Sequence, residues 1–255
     1  MSGMGRPSKA VLRALYARLF RAFGPQQWWP GETPFEVIIG AILTQNTNWG
    51  NVEKAIFNLK SKKLLSPRAL NKITYAELSA LIKPAGYFNV KAKRLKSFIA
   101  FLYKEYKGDL TKMAAEDHAQ LRKKLLGVNG IGPETADSIL LYAFGKPVFV
   151  VDAYTKRVLY RHNMAGLKDD YHAIQEKFMK ALGADVRTFN EYHALIVRLG
   201  KDYCKPNPKC TNCILKDFHY SLAAKCASCH RALPDKRERK RHGGGYLCRF
   251  SCQNR

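Results

Sequence analysis

Between Phe35 and Gly200 apolar residues recur three and four positions apart, while runs alternating with period two are scarce, so the chain reads as mostly helical. Gly, Pro and Asn punctuate that pattern. They divide it into helices expected over 9–23, 33–44, 49–60, 66–72, 75–82, 88–106, 110–114, 117–125, 133–144, 152–161, 168–182 and 187–202. Ser8 is the expected N-cap of the first helix, whose apolar face is Leu12, Leu15, Leu19, Phe20 and Phe23. The acid-free stretch from Arg6 to Arg21 also has the composition of an organelle transit peptide, but an amphipathic helix accounts for it more simply. The longest apolar run, around Phe35–Leu43, is broken by Glu36 and Gly40 and falls far short of the roughly 20 residues a membrane span needs. No tandem repeat is visible, and no membrane partner is expected.

Charge changes this picture. The 255 residues carry 44 Lys+Arg against 20 Asp+Glu, a formal surplus of +24. Such a surplus repels itself unless a polyanion neutralises it, and nucleic acid is the commonest such partner. A hydrophobic content of 46% supplies a sizeable core, and the length suits one large domain or two small ones. All seven cysteines fall between Cys204 and Cys252, an odd number at short spacings that suits metal ligation in a reducing compartment better than disulfides. After Lys201 the composition shifts to Cys, Pro, Lys and Asn, and Asp235–Gly245 is a charged, Gly-rich stretch.

The stretch richest in chemistry is 121–161. A helix ending near Leu126 leads into Gly127-Val128-Asn129-Gly130-Ile131-Gly132, then Pro133 at a favoured first helical position and Glu134 in the first turn. This is a helix–hairpin–helix pattern. Glycines at 127, 130 and 132 let bare backbone N–H groups approach a phosphate at a helix N-terminus, a contact indifferent to base sequence; a plain αα-corner would use the same residues. Beyond it, Val148-Phe149-Val150-Val151 delivers Asp152 to the head of the next helix. Asp152 is a natural N-cap, and the same position keeps a carboxylate fixed and ionised for chemistry.

The segments GIGPETAD and VVDAYTKRV, with ILTQNTNWGNVEKAI at 42–56 and IKPAGYFNVKAKRL at 82–95, resemble the helix–hairpin–helix (HhH-GPD) DNA glycosylases of the endonuclease III superfamily. The likeness covers roughly residues 30–220. It implies an all-α fold of two helical subdomains flanking a DNA-binding cleft, with a cysteine-rich metal-binding segment at the C-terminal end. In that layout residues 26–135 form a six-helix subdomain ending in the hairpin, 1–25 and 136–225 form the second subdomain, and 226–255 are a basic tail. It also implies double-stranded DNA with damaged bases as partner, a monomer, and a cytoplasmic, nucleoid-associated place in a prokaryote or a nuclear or organellar one in a eukaryote.

Asp152 then corresponds to the carboxylate that stabilises positive charge on the sugar as the base leaves. Strand-cutting members use a lysine eighteen residues before that aspartate. Here the position holds Glu134, which cannot form a Schiff base. The nearest lysines in sequence are Lys124 and Lys146. A monofunctional enzyme is expected, with an endonuclease III-like bifunctional lyase acting on oxidised pyrimidines, or a noncatalytic DNA-binding module, as the alternatives. Glu134 is either a first-turn acid facing the helix dipole or a pocket acid acting on the base.

Because the target base must leave the stack, a plug and a pocket are needed. The resemblance assigns the plug to Gln45 and the opposite-strand wedge to Tyr87, with Asn89, Lys91 and Lys93 as DNA backbone contacts. Trp28, Trp29 and Trp49 are expected at the pocket mouth, or else as core residues. The arrangement is closest to the 3-methyladenine DNA glycosylase branch, since an electron-rich face favours a cationic alkylated purine. That branch carries a basic residue where this chain has Pro133 and generally lacks the cysteine cluster.

Cys204, Cys210, Cys213 and His219 resemble the [4Fe–4S] loop of endonuclease III relatives, with five rather than six residues in the first spacing and His219 in place of the fourth cysteine. Cys226 is the other candidate for that place. Cys226, Cys229, Cys248 and Cys252 have knuckle-like spacing that suits zinc, with His230 or His242 as substitutes should Cys226 serve the iron. The loop between them carries Lys236, Arg237, Arg239, Lys240 and Arg241, a phosphate clamp if metal pins it. A basic tail with idle thiols is the alternative.

Overall fold

The computed structural model describes residues 8–166 and 168–218, and among them every regular element is helical. In chain order these are α1 (Lys9–Phe23), α2 (Pro34–Leu43), α3 (Trp49–Ser61), α4 (Pro67–Lys72), α5 (Tyr75–Leu81), a 3-10 turn (Lys83–Ala85) and α6 (Phe88–Tyr106). There follow α7 (Leu110–Ala115), α8 (His118–Leu126), α9 (Pro133–Ser138), a π-helical segment (Ile139–Ala143), α10 (Ala153–Arg161), α11 (Tyr171–Leu182) and α12 (Val186–Asp202). Local signals fix most starts. The side chains of Ser8, Thr33, Asn48, Ser66, Thr74, Asp109, Asp117, Asp152, Asp170 and Asp185 each accept a backbone N–H in the first turn of the helix they precede. Each thereby satisfies donors that a helix N-terminus leaves open.

Three features depart from the periodic pattern. The 3-10 turn at Lys83–Ala85 was not expected, and α11 starts at Tyr171 because Asp170 caps it. The helix expected over 133–144 changes to π geometry at Ile139. A π turn widens the helix and alters where the following side chains point, and Tyr142 lies in it.

Helix α2 is the axle of the fold. Every residue from Phe35 to Leu43 is buried, the signature of a helix surrounded on all sides. It packs on α3, α6, α9 and the π segment, bringing the segment after Leu43 to the hairpin. Helix α1 packs on α11 and α12 through Leu12, Leu15 and Leu19, and Tyr192 Oη donates to the Leu12 carbonyl at 2.8 Å. Phe20, expected on the buried face, is exposed instead. It stacks on Tyr16 at 5.8 Å between ring centroids, on the rim of that face.

Between the π segment and α10 the chain runs without regular structure. Val148 to Val151 are buried, with the Phe149 ring stacked on Phe178 at 3.9 Å. That apolar anchor sets the residue after it, Asp152, at the head of α10.

Candidate active site and nucleic-acid interface

Asp152 is both a cap and a buried acid. Its Oδ1 accepts the Thr155 N–H at 2.7 Å, and its Oδ2 faces His193 Nε2 of α12 at 3.6 Å. Burial pushes this carboxyl up, but the nearby His193 ring and the hydrogen bond from the Thr155 N–H outweigh it, and the net shift is below the ordinary aspartate value. Asp152 is therefore ionised at neutral pH.

Glu134, in the first turn of α9, behaves in the opposite way. It keeps contact with water yet is walled by protein. Burial, then the negative charge of Asp152, push its carboxyl up to about 7, against the pull of His193 and Lys156. Two facing acids with opposite protonation habits are a recurrent arrangement in hydrolytic sites.

Beside them stands an aromatic cluster. Trp28 and Trp29 are joined by a cis peptide bond, and Trp29 meets Trp49 edge to face at 5.2 Å. Trp28 lies 5.4 Å from Trp29 and 6.4 Å from Trp49. The Trp29 ring also packs on Tyr142 at 5.1 Å. The indoles lie against α2 at Gly40, where an added Cβ would lie 3.4 Å from both Trp29 and Trp49. The rings are half-buried, Trp49 Nε1 donates to Glu53 at 2.7 Å, and Lys201 Nζ sits 5.6 Å from the Trp28 centroid. Tyr142 continues the chain of contacts, its hydroxyl lying 2.5 Å from His193 Nδ1. Trp28, Trp29 and Trp49 are thus brought together, and Tyr142 and His193 join them to Asp152. Tyr142, His193 and Gly40 were missed; a histidine on the apolar face of the 187–202 helix was the one available signal.

The hairpin has the expected shape. Gly130 adopts φ +84, and a Cβ there would collide with the Arg94 side chain at 2.3 Å. Gly127 and Gly132 are exposed, and a Cβ on Gly132 would meet nothing within 4 Å. Gln45 is drawn onto this turn. Its Nε2 donates to the Gly130 carbonyl at 3.0 Å and Thr135 Oγ1 at 2.9 Å, and its Oε1 accepts from Arg94. Tyr87 stands in left-handed geometry at the head of α6 with 72% of its surface exposed. Asn89 and Lys93 are exposed on the same helix.

Lys91 contradicts its expected role as a DNA contact. Its side chain is buried, and Nζ donates to the carbonyls of Leu43 at 2.8 Å and Ala85 at 2.7 Å. Burial, with Arg94 nearby, lowers its ammonium to about 8. Helical spacing from Asn89 and Lys93 puts position 91 on the inward side, where a long stem can reach two helix-end carbonyls that would otherwise lack donors. Lys124 and Lys146 are also committed elsewhere, for Lys124 pairs with Glu116 at 2.7 Å and Lys146 Nζ donates to the Glu116 carbonyl at 2.7 Å.

Cys204, Cys210 and Cys213 follow α12, and two arginines of α10 hold their loop. Arg157 Nε donates to the Cys204 carbonyl at 2.5 Å, and Arg161 reaches Cys204 Sγ at 3.3 Å and the carbonyls of Lys205 and Pro206 at 2.6 and 2.8 Å. The Leu215 N–H points at Cys213 Sγ at 3.4 Å. N–H donors aimed at sulfur suit thiolate ligands, yet among the described residues no three such side chains converge as a ligand set. The remaining candidate ligands, His219, Cys226, Cys229, Cys248 and Cys252, lie outside the described residues.

Similarity to known proteins agrees with this geometry. Residues 39–184 match the family described as "HhH-GPD superfamily base excision DNA repair protein". The chain is 48% identical over 82% of its length to the Methanocaldococcus jannaschii protein named "Putative DNA repair glycosylase MJ1434", covering 95% of that protein. It is 31% identical to endonuclease III of Thermotoga maritima, over 72% of this chain and 81% of that one. In structure it is similar to the 3-methyladenine DNA glycosylase MagIII of H. pylori bound to 1,N6-ethenoadenine, with TM-score 0.65 and 28% identity, covering 76% of this chain and 96% of that one. The chain belongs to the HhH-GPD superfamily of base excision DNA repair proteins.

Proposed function

We propose that the protein is a monofunctional DNA N-glycosylase that releases an alkylated purine and leaves an abasic site in an intact strand. The observation that carries this reading is a pair of electrostatically coupled acids, Asp152 held ionised and Glu134 poised near neutrality, with a half-buried tryptophan cluster joined to Asp152 through Tyr142 and His193. The base enters by leaving the stack. Trp28, Trp29 and Trp49 offer electron-rich faces that favour a cationic base over a neutral one by roughly 0.5–2 kcal/mol. As the N-glycosidic bond breaks, its electron pair goes to the base and positive charge builds on the sugar, which the Asp152 carboxylate stabilises. Water then bonds to the anomeric carbon and gives its proton to Asp152. An N3- or N7-alkylated purine leaves as a neutral molecule and needs little acid; a protonated Glu134 assists bases that leave less readily.

The hairpin glycines Gly127, Gly130 and Gly132, together with Asn89 and Lys93, hold the phosphate backbone, with Gln45 as plug and Tyr87 as wedge. The packing of α1 on α11 and α12 supports residues 1–25 and 136–225 as one subdomain beside 26–135. Cys204, Cys210 and Cys213 are the residues that would hold a [4Fe–4S] cluster, supported by the donors on Cys204 and Cys213. No step of base release passes through it.

A bifunctional lyase keeps one observation in its favour, the proximity of Lys156 to Glu134. One experiment separates the two. Duplexes bearing alkylated, deaminated or oxidised bases are incubated with protein, released bases are identified by mass, and parallel samples receive borohydride. Release of alkylpurine with no covalent adduct is expected; a trapped adduct overturns the monofunctional reading.

A further inference from the structure

Around the two acids, one group stands out as unused. His193 Nε2 is buried and has no hydrogen-bond partner, although it faces Asp152 Oδ2 at 3.6 Å. Leaving a buried ring nitrogen without a partner is destabilising, so its retention beside the acid calls for an explanation. The other ring nitrogen is fixed, because Nδ1 lies 2.5 Å from the Tyr142 hydroxyl. Tyr142 in turn packs on Trp29.

We propose that His193, oriented by Tyr142, is a positioning residue for Asp152, presenting an Nε2–H that fixes the free carboxylate oxygen as the base departs. This rests on the reading of Asp152 as the catalytic carboxylate. The tautomer assigned is the one in which the Tyr142 hydroxyl donates to Nδ1. Tyr142 is half-buried, and burial, then the charge of Asp152, hold its phenol well above its usual range, so it keeps an O–H that can donate to Nδ1. A donor on Nδ1 leaves the proton of a neutral imidazole on Nε2, the atom that faces Asp152. The carboxylate then has two anchors from two elements, the Thr155 N–H of α10 on Oδ1 and His193 of α12 toward Oδ2. Small closure of the 3.6 Å gap completes a hydrogen bond. The tryptophan cluster, Tyr142, His193 and Asp152 thereby form one continuous line from base pocket to sugar.

The titratable groups whose charges act with Asp152 are Glu134 from α9, Tyr142 from the π segment and His193 from α12, with Tyr154 on α10 itself, while Lys156 of α10 acts on Glu134. His193 opposes the effect of burial on Asp152, so its loss moves the acid limb of base release upward. His193→Phe keeps a ring in place and removes both nitrogens. Its acid limb in single-turnover release is expected about one pH unit higher, which is about tenfold slower release below both limbs. His193→Gln, whose amide N–H can stand in for Nε2–H, restores the wild-type limb. Tyr142→Phe shifts it in the same direction by less. The His193→Phe shift persists in a Glu134→Gln background, which separates it from titration of Glu134.

A merely packed histidine would leave the limb where it is. An unshifted limb in folded His193→Phe and Tyr142→Phe overturns the proposal. ¹⁵N imidazole spectra give a readout independent of activity: the His193 proton is expected on Nε2 in the wild type and redistributed in Tyr142→Phe, and a wild-type proton on Nδ1 also overturns the proposal. Absence of base release by the wild type would instead sink the glycosylase reading, while the spectra still decide the role of the pair.

Discussion

Two aspartates fifteen residues apart, Asp137 and Asp152, are both buried, yet their surroundings differ in kind. Asp137 in α9 is saturated. Arg122 of α8 grips it with two hydrogen bonds at 2.7 and 3.0 Å, and Tyr171 and Gln175 of α11 donate at 2.8 and 2.6 Å. Gln175 also donates to the Phe149 carbonyl at 2.7 Å, so one carboxylate ties α8, α9, α11 and the strand-like segment before Asp152. Asp152 has one short hydrogen bond and a histidine held just out of reach. A buried charge held by four hydrogen bonds stabilises a fold; one left with spare acceptor capacity is available for chemistry.

The sharpest way to break this comparison is to neutralise each acid with the same isostere. Asp152→Asn keeps a good N-cap, so its melting temperature should stay within a few degrees of wild type. Base release should fall by roughly 10³-fold or more, about 4 kcal/mol on the barrier. Intact activity with bound DNA would show that the acid is a cap and no more. Asp137→Asn should do the reverse. It leaves the Arg122 guanidinium half-answered inside the protein and should cost about 3–5 kcal/mol of stability, read in a urea melt. Activity per folded molecule should survive where the protein still folds.

A milder test concerns Lys91, another buried charge. Its ammonium joins the end of α2, just before Gln45, to the turn before Tyr87. Lys91→Met strands the Leu43 and Ala85 carbonyls and should destabilise by about 1–3 kcal/mol. If Lys91 served DNA phosphate instead, the variant would lose affinity with a shallower salt dependence and no change in melting.

These residues also show where sequence stops being informative. Helix positions were legible because period and caps are local: Ser8 before Lys9, or Ser66 before Pro67, announces a start within one turn. The hairpin glycines and Asp152 were legible because a short motif carries them. Lys91 was not, since a lysine between Asn89 and Lys93 looks like a solvated face until Leu43 and Ala85 are folded over it. Nor were Tyr142 and His193, which meet across 51 positions through a π turn that no periodicity announces. Asp137 and Asp152 read alike in sequence because the partners that distinguish them come from other helices.

The smallest expected effect concerns Glu134, which sits between the two aspartates in character. Its carboxyl is pushed up to about 7 in the folded protein, whereas an unfolded chain returns it to the ordinary glutamate range near 4.4. Between those values the native state holds more proton than the unfolded one, so this group's contribution to stability is full below the unfolded value and is lost as pH rises through 7. Because Glu134 keeps contact with water, solvent screens part of the effect and the slope is shallow. Glu134→Gln removes the titration. Its stability should run flatter than wild type from pH 4.5 to 7 and exceed it slightly above 7, as read by denaturant melts at matched ionic strength. A parallel pair of curves would mean that Glu134 is ionised throughout, which would leave Asp152 facing a full like charge and remove the asymmetry between the two acids on which the proposed chemistry depends.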